Sequence, residues 1–230
     1  LPGRRWLEFG FWLVFFMPTL PILLGWVLLL HPSYGLFNDI VMRLPFINGP
    51  IFNIYSWWGI VWIHLITGTI AIQVVLLAPA FRNMDSALEE ASRISGSSVM
   101  GTLWKVVVPI MLPAIIVVTL MSAVISLQAF EIELALGGRA GVDVFSTTIW
   151  KFVKLLPSYP GRAAALSIII LAVMVPFVLL QYRFIAKRQY ATVTGQYQVN
   201  VLRLGRWRWP SLGIVLLFIV MATILPMTFL

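Results

Sequence analysis

Five long apolar runs, almost free of charged residues, constrain the fold of this chain more than any other feature. A helix needs about 20 mostly apolar residues to cross the hydrocarbon core of a bilayer. Runs of about that length lie at Phe11–Leu30, Tyr55–Ala80, Val106–Gln128, Ala163–Ala186 and Ser211–Leu230. The sequence therefore predicts an all-α, polytopic membrane helical bundle with about five spans.

The composition supports this class and excludes several others. Of the 230 residues, 60% are hydrophobic and 10% are charged, whereas soluble domains carry about 25% charged residues. The chain has no cysteine, which excludes disulfides and thiolate metal sites. Its two histidines, His31 and His64, are too far apart in sequence to form a helical pair, so no metal site is expected. Basic residues that flank spans explain the net charge of +8, and nucleic acid is not an expected partner.

Prolines, glycines and aromatic residues mark the ends of the first two spans. Pro18 and Pro21 are expected to kink the first span, which membrane helices tolerate. The Pro/Gly/Asn-rich stretch His31–Asn53 is predicted to be a loop, with a short helix around Leu36–Arg43. An aromatic belt at one membrane interface is indicated at the start of the second span by Tyr55, Trp57, Trp58 and Trp62.

The distribution of Lys and Arg predicts the orientation. Residues 1–10, 82–105 and 183–208 hold eleven of these residues, and the segments predicted on the opposite side hold five. Cytoplasmic loops carry the excess of positive charge. We therefore expect an inner-membrane (plasma-membrane) protein with residues 1–10, 82–105 and 187–208 in the cytoplasm.

The polar segment 82–105 is the most informative part of the chain. Ser86 and Glu89 fit a capping box, and Asp85 is also available as a cap. Gly96 stands where a helix end favours a residue with positive φ. The pattern predicts a short helix over Ser86–Ser95, a tight turn, and a second helical segment that starts at Ser98 and leads into the third span.

The predicted short helix would carry a small apolar face. Leu88, Ala91 and Ile94 recur at helical spacing. At about 15 Å the helix is too short to cross a membrane. An ordinary connecting loop with a solvated helix is the alternative that spacing alone leaves open.

The run from Glu90 to Pro109, EASRISGSSVMGTLWKVVVP, resembles the signature loop of permeases from binding-protein-dependent ABC importers. That family has Glu-Ala-Ala, three residues, Gly, nine residues and then Ile-x-Leu-Pro. Both spacings match here. The departures are Ser92 in place of the second Ala and valines in place of Ile and Leu, which are small-for-small and aliphatic-for-aliphatic changes.

The resemblance implies a transport subunit without catalysis of its own. In such importers the signature helix docks in a cleft of a cytoplasmic ATPase, whose closure moves the spans. ATP and Mg would bind to that partner, and no cofactor to this chain. Pro109 and Pro113 would fix where the rigid helix of the third span begins. The residues that the resemblance places in ATPase coupling are Glu89, Glu90, Ala91, Ser92, Gly96 and Pro109.

The resemblance also implies partners, a domain organisation and a cargo. The partners would be an ABC ATPase dimer, a periplasmic or extracellular solute-binding protein, a second permease half and membrane lipid. "LPGRR" and "DVFSTTIWKF" are similar to segments of the ferric-iron-type fused double permeases. Residues 1–190, with the signature loop 82–109, would be the C-terminal part of one half, residues 191–209 a basic linker, and residues 210–230 the truncated first span of a second half. We expect a piece of a longer protein that imports ferric iron, with polyamine, thiamine, sulfate or another small solute as alternatives.

Few polar residues lie where they could line a path through the membrane. The candidates are Gln73, Gln128, Glu131 and Glu133, although the acidic pair could equally form an outer-loop face or contact the binding protein. His64 is expected to have a packing or interfacial role. A secondary transporter or channel would be expected to hold buried charges inside its spans, and a membrane enzyme would need clustered His, Cys or carboxylates, so both classes fit the sequence less well.

Overall fold

The computed structural model of the chain describes residues 2–82, 88, 91–92, 94–186 and 208–230. Throughout these residues the regular secondary structure is helical, and they contain no strand. The helices are α1 (Arg4–Phe16), α2 (Thr19–Leu30), α3 (Leu36–Met42), α4 (Trp57–Arg82), α5 (Met100–Leu127), α6 (residues 131–140), α7 (Phe145–Lys154), α8 (Pro160–Ala186) and α9 (Arg208–Thr228). Four of them, α4, α5, α8 and α9, are long and apolar enough to span a membrane, and α1 with α2 makes five if the bent pair is one span. The predicted all-α membrane bundle is confirmed.

The first predicted span is broken rather than kinked. The axes of α1 and α2 differ by 93°. Pro18 disfavours helical geometry at the residue before it, and Met17 is extended, with φ −67° and ψ 133°. With 13 and 12 residues, the two helices are about 20 and 18 Å long, so neither alone crosses a core of about 30 Å. The prediction of one kinked helix over Phe11–Leu30 is wrong.

The start of the third span also differs from the prediction. Helix α5 is continuous from Met100, but its regular α-helical part begins at Val108, so Pro109 lies in the first turn of that part and Pro113 lies inside it. A π-helical turn, Leu103–Val107, ends two residues before Pro109. Proline has no N–H to donate and its ring crowds the preceding turn, and a widened turn relieves that crowding. A second π-helical turn, Leu65–Thr69, interrupts α4.

Helix α2 lies at the centre of the buried core. The side chain of Trp26 is 1% exposed and packs edge-on against Trp62 of α4 with ring centroids 5.1 Å apart. On another face, α2 packs against the C-terminal part of α9. A Cβ on Gly25 would lie 2.2 Å from the carbonyl oxygen of Pro226. Only glycine therefore permits this approach of the two backbones.

The loop between α2 and α4 is held by one buried amide. Asn38 on α3 is 1% exposed. Its Nδ2 donates to the carbonyl oxygens of His31 (3.0 Å) and Phe52 (2.7 Å). Its Oδ1 accepts from the N–H groups of Ile51 (3.0 Å) and Phe52 (2.8 Å). The predicted short helix, α3, is confirmed. It positions the Asn38 side chain, whose hydrogen bonds connect the two ends of the loop.

An aromatic cluster lies beside this loop. The His31 ring stacks on Tyr34 at 3.6 Å and meets Tyr55 edge-on at 5.3 Å. The guanidinium of Arg139 lies over the Tyr55 ring, 4.6 Å from its centroid. Burial and the positive charge of Arg139 lower the pKa of His31. His31 is therefore neutral in the fold, and its Nδ1 accepts a hydrogen bond from the Ser33 N–H at 3.1 Å.

The polar region predicted over Glu131–Arg162 contains two helices that the sequence did not predict, α6 and α7. Both are short, and α6 contains Gly137 and Gly138 and ends just before Gly141. Helix α8 follows and packs against α5 and α7. Its remaining apolar side chains, such as Ile168 and Leu171, are exposed and form a surface that lipid hydrocarbon can cover.

Candidate translocation cavity and coupling loop

A cavity of about 560 Å³ opens between α4, α5 and the start of α6. The break between α1 and α2 borders it through Phe15 and Thr19. Residues 64–72 of α4, which include the π-helical turn, form one wall. The other wall is the C-terminal end of α5 with the first residues of α6. The lining consists of Phe15, Thr19, His64, Thr67, Gly68, Thr69, Ile72, Ser122, Ile125, Ser126, Gln128, Ala129, Phe130, Glu131, Ile132 and Glu133.

The lining is rich in polar groups for a site among membrane helices. Ser122 and Ser126 lie one turn apart on α5 and both line the cavity. Thr67 lies on the π-helical turn of α4, where its hydroxyl donates to the Ile63 carbonyl at 2.7 Å. The acidic residues Glu131 and Glu133 complete the polar set, and no Lys or Arg is among the lining residues of the described chain.

His64 and Glu133 meet at the edge of the cavity. The His64 Nε2 lies 2.5 Å from the Glu133 Oε1. Glu133 is 5% exposed, and within the described chain its Oε2 has no hydrogen-bond partner. The carboxylate stands in the first turn of α6, where the positive end of the helix stabilises a negative charge. This contact joins a transmembrane helix to the segment that follows the next span.

Three of the four predicted path residues come together at the cavity. Gln128, Glu131 and Glu133 line it, whereas Gln73 is not among the lining residues. Sequence analysis assigned His64 a packing or interfacial role and missed its contact with Glu133, because the two residues are 69 positions apart. The hydroxyl pair on α5 was also missed. Its spacing of four residues, which places both groups on one helix face, was the available signal.

The signature loop forms a helical hairpin in its described part. Glu89 and Glu90, together with the predicted caps Asp85 and Ser86, lie outside the described residues. Leu88, Ala91, Ser92 and Ile94 are helical. The turn that follows places Gly96 at φ +84°, as predicted.

Hydrogen bonds connect the two arms of this hairpin. The Ser97 N–H donates to the Ser92 carbonyl at 3.1 Å across the turn. The hydroxyls of Ser92 and Thr102 lie 3.0 Å apart, and Thr102 is buried. Ser98 caps the second arm by accepting from the Gly101 N–H at 3.1 Å, so the predicted helix start at Ser98 is confirmed. Ser92, the departure from the family pattern, therefore ties the loop to the base of α5.

Several large apolar side chains are exposed on the described part of this hairpin. Ile94 is 87% exposed, and the other large apolar side chains that are exposed here are Leu88, Met100 and Trp104. Arg82, which ends α4 just before the loop, pairs with Glu8 of α1, and Glu8 also binds Arg4 at 2.9 Å. The N-terminal end of α1 and the start of the signature loop therefore lie at the same end of the bundle.

Comparison with known proteins agrees with these features. The model of the family described as "Binding-protein-dependent transport system inner membrane component" matches residues 2–190. A probable ABC transporter permease protein of Sinorhizobium fredii is 28% identical over 211 residues, which are 88% of this chain and 35% of that protein.

Two further relatives differ in the transport systems that they are named for. A putative ferric transport system permease protein of Haemophilus influenzae is 26% identical over 143 residues, or 59% of this chain and 22% of that protein. A sulfoquinovosyl glycerol transport system permease protein of Agrobacterium fabrum is 23% identical over 124 residues, or 54% of this chain and 40% of that protein. The chain thus spans well under half the length of these relatives.

Proposed function

Because this chain belongs to the family of binding-protein-dependent transport system inner membrane components, we propose that it forms part of the translocation path of an ATP-driven importer and couples that path to a cytoplasmic ATPase. It is a multi-pass inner-membrane protein. The observation that carries the proposal is the signature-loop hairpin, in which Gly96 has the positive φ that the family pattern demands and an exposed apolar surface follows it.

The proposed coupling runs from the hairpin into α5. The ATPase dimer contacts the segment Glu89–Ser92 and the exposed side chains beside it, and supplies ATP and Mg, so catalysis takes place on that partner. The Ser92–Thr102 contact gives the hairpin a direct connection to α5, and α5 forms one wall of the cavity. A displacement of the hairpin therefore reaches the cavity through a single helix.

The remaining parts of the proposal concern sidedness and partners. The excess of Lys and Arg favours a cytoplasmic location for residues 1–10, 82–105 and 187–208, and the Glu8–Arg82 pair supports placing the first two on one side. A solute-binding protein would deliver cargo at the opposite side. We further propose that residues 1–190 belong to one permease half and that α9 begins a second, with a linker over residues 191–209.

Ferric iron is the proposed cargo, with polyamine, thiamine, sulfate or another small solute as alternatives. Support comes from the resemblance of two segments to ferric-type permeases and from a relative named for ferric transport. In the described residues, no group of three or more His, Asp or Glu could hold a metal ion. A ferric cargo would therefore pass without a dense set of protein ligands.

Co-purification of the full-length permease with its ATPase tests the coupling role. Glu90→Ala and Gly96→Pro are expected to reduce ATPase binding and transport-coupled ATP hydrolysis. Gly96→Asn should retain most of both, because Asn tolerates the left-handed region. Gly138→Ala is the matched control, since a Cβ there meets nothing within 4 Å. Normal coupling in both the Glu90 and the Gly96→Pro variants would refute the assignment. Uptake of labelled ferric iron, thiamine and polyamine in a deletion strain identifies the cargo.

A further inference from the structure

The carboxylates of the cavity have no Lys or Arg beside them among its described lining residues. Its lining holds two carboxylates, Glu131 and Glu133, one histidine, and neutral hydroxyl and amide groups. No Lys or Arg lines it in the described chain. The two carboxylates outnumber the one histidine, so the charge of the lining side chains is negative.

The burial of the Glu133 carboxylate indicates which sign of charge the cavity favours. A carboxylate that is 95% buried is costly unless its lone pairs are satisfied, and Glu133 is 5% exposed. His64 satisfies Oε1, whereas Oε2 has no partner in the described chain. Oε2 is itself buried, so a solute in the cavity would act on the carboxylate through its electric field: a positive charge there would stabilise the carboxylate, and an anion would add repulsion.

Helix ends do not reverse this sign. Helices α2 and α6 both begin at the cavity, at Thr19 and next to Glu131. The positive end of a helix is equivalent to about half an elementary charge. Together the two ends offset about one elementary charge, but the negative C-terminal end of α5 at Gln128 borders the same cavity, so the lining remains negative.

We propose that this cavity is a cation-selective part of the translocation path, in which Glu133 and Glu131 favour positively charged solutes and exclude anionic ones. The inference rests on the proposed function and narrows its cargo to cations, whether a metal ion or an organic ammonium. Described residues form no group that could hold a metal ion, so the interaction is weak. Weak binding suits a path, because a solute must leave as readily as it enters.

Uptake by the assembled transporter tests the proposal. The full-length permease, its ATPase and its binding protein are reconstituted in liposomes with an ATP supply. Uptake of ferric iron, putrescine, sulfate and an uncharged sugar is compared. The two cation arms distinguish a metal ion from an ammonium as the source of the charge. We expect uptake of at least one cation and of neither other solute.

Three variants and one control connect the selectivity to the cavity. Glu131 is exposed in the described chain, so Glu131→Arg leaves packing unchanged. It should lower cation uptake about tenfold, because the reversal changes the local charge by two units. Glu131→Gln and Glu133→Gln should lower it less. Asp143→Asn is the matched control, because Asp143 pairs with Lys151 at 2.5 Å and does not line the cavity. It should stay within twofold of the wild type.

The outcomes separate this inference from the proposed function. Cation uptake by Glu131→Arg within twofold of the wild type overturns the inference. Wild-type uptake of sulfate or sugar in preference to both cations overturns it as well, while the proposed importer remains. A permease that neither binds the ATPase nor takes up any solute refutes the proposed function itself. ATPase activity stimulated by the binding protein, retained in Glu131→Arg, shows that the variant assembles and that its loss of uptake arises in the cavity.

Discussion

Removal of the Asn38 amide should destabilise the protein by deleting several hydrogen bonds in the loop between α2 and α4. Asn38→Ala deletes four hydrogen bonds of 2.7–3.0 Å at a position that is 1% exposed. Two N–H groups and two carbonyl groups lose their partner. Each such bond contributes about 1 kcal/mol net. Water reaches part of the loop, since Ile51 and Phe52 are exposed, and we expect a loss of about 2–4 kcal/mol.

Asn53 provides a matched comparison within the same loop. Its Oδ1 accepts one local bond, from the Tyr55 N–H at 2.9 Å, in an exposed setting. Asn53→Ala should therefore cost about 0.5–1 kcal/mol. Asn38→Asp, which keeps the acceptors and loses both donor bonds, should be destabilised as well.

Thermal unfolding of the purified full-length permease, followed by intrinsic Trp fluorescence, measures the difference. For a chain of 150–250 residues, 1 kcal/mol corresponds to about 2–4 °C in Tm, and a longer chain shifts less. Asn38→Ala should thus lower Tm by at most about 16 °C and Asn53→Ala by at most about 4 °C, with the shift for Asn38→Ala the larger by a factor of about four. Equal Tm values for the two variants would refute the reasoning that the loop depends on the buried amide.

Three further predictions concern packing, coupling and pH. Gly25→Ala should lower Tm by several degrees, because its Cβ would overlap the Pro226 carbonyl. Gly213→Ala should leave Tm unchanged, because open space surrounds that position. Similar Tm values for the two variants would contradict the close packing of α2 on α9. Ser92→Ala should weaken transport-coupled ATP hydrolysis severalfold without loss of ATPase binding, and unchanged coupling would show that the Ser92–Thr102 bond transmits nothing. Stability should fall as the pH drops below about 6.5, because the pKa of His31 is lowered in the fold and the unfolded chain therefore binds a proton first. His31→Gln should flatten this dependence of Tm on pH, measured from pH 7 to 5. An unaltered slope would contradict the prediction.

Much of the fold follows from the sequence because a bilayer imposes strict requirements on helix length and polarity. Apolar runs of about 20 residues located α4, α8 and α9 to within about three residues at each end, and α5 except for its start. The break of the helix at Pro18 could not be predicted from helix length and polarity. A proline inside an apolar run is compatible with a kink and with a break, and the choice depends on how α1 and α2 pack against their neighbours. For the same reason Pro109 marks the start of the regular α-helical part of α5 and not the start of the whole helix.

The candidate site was predictable only in part. Spacing in the signature loop was sufficient for Gly96, because a short-range turn determines its φ. Glu131 and Glu133 were found because acidic residues at a span end are conspicuous. The His64–Glu133 contact depends on how α6 folds back beside α4, and a short helix with two glycines leaves almost no periodic signal.

The bond between Ser92 and Thr102 has a consequence for how a partner would be recognised. It closes the hairpin from within, since both hydroxyls belong to this chain. In the proposed importer, the connection between Ser92 and α5 is therefore made before the ATPase arrives, and docking does not bear the entropic cost of forming it. The ATPase would then meet a loop that is already joined to the helix it has to move.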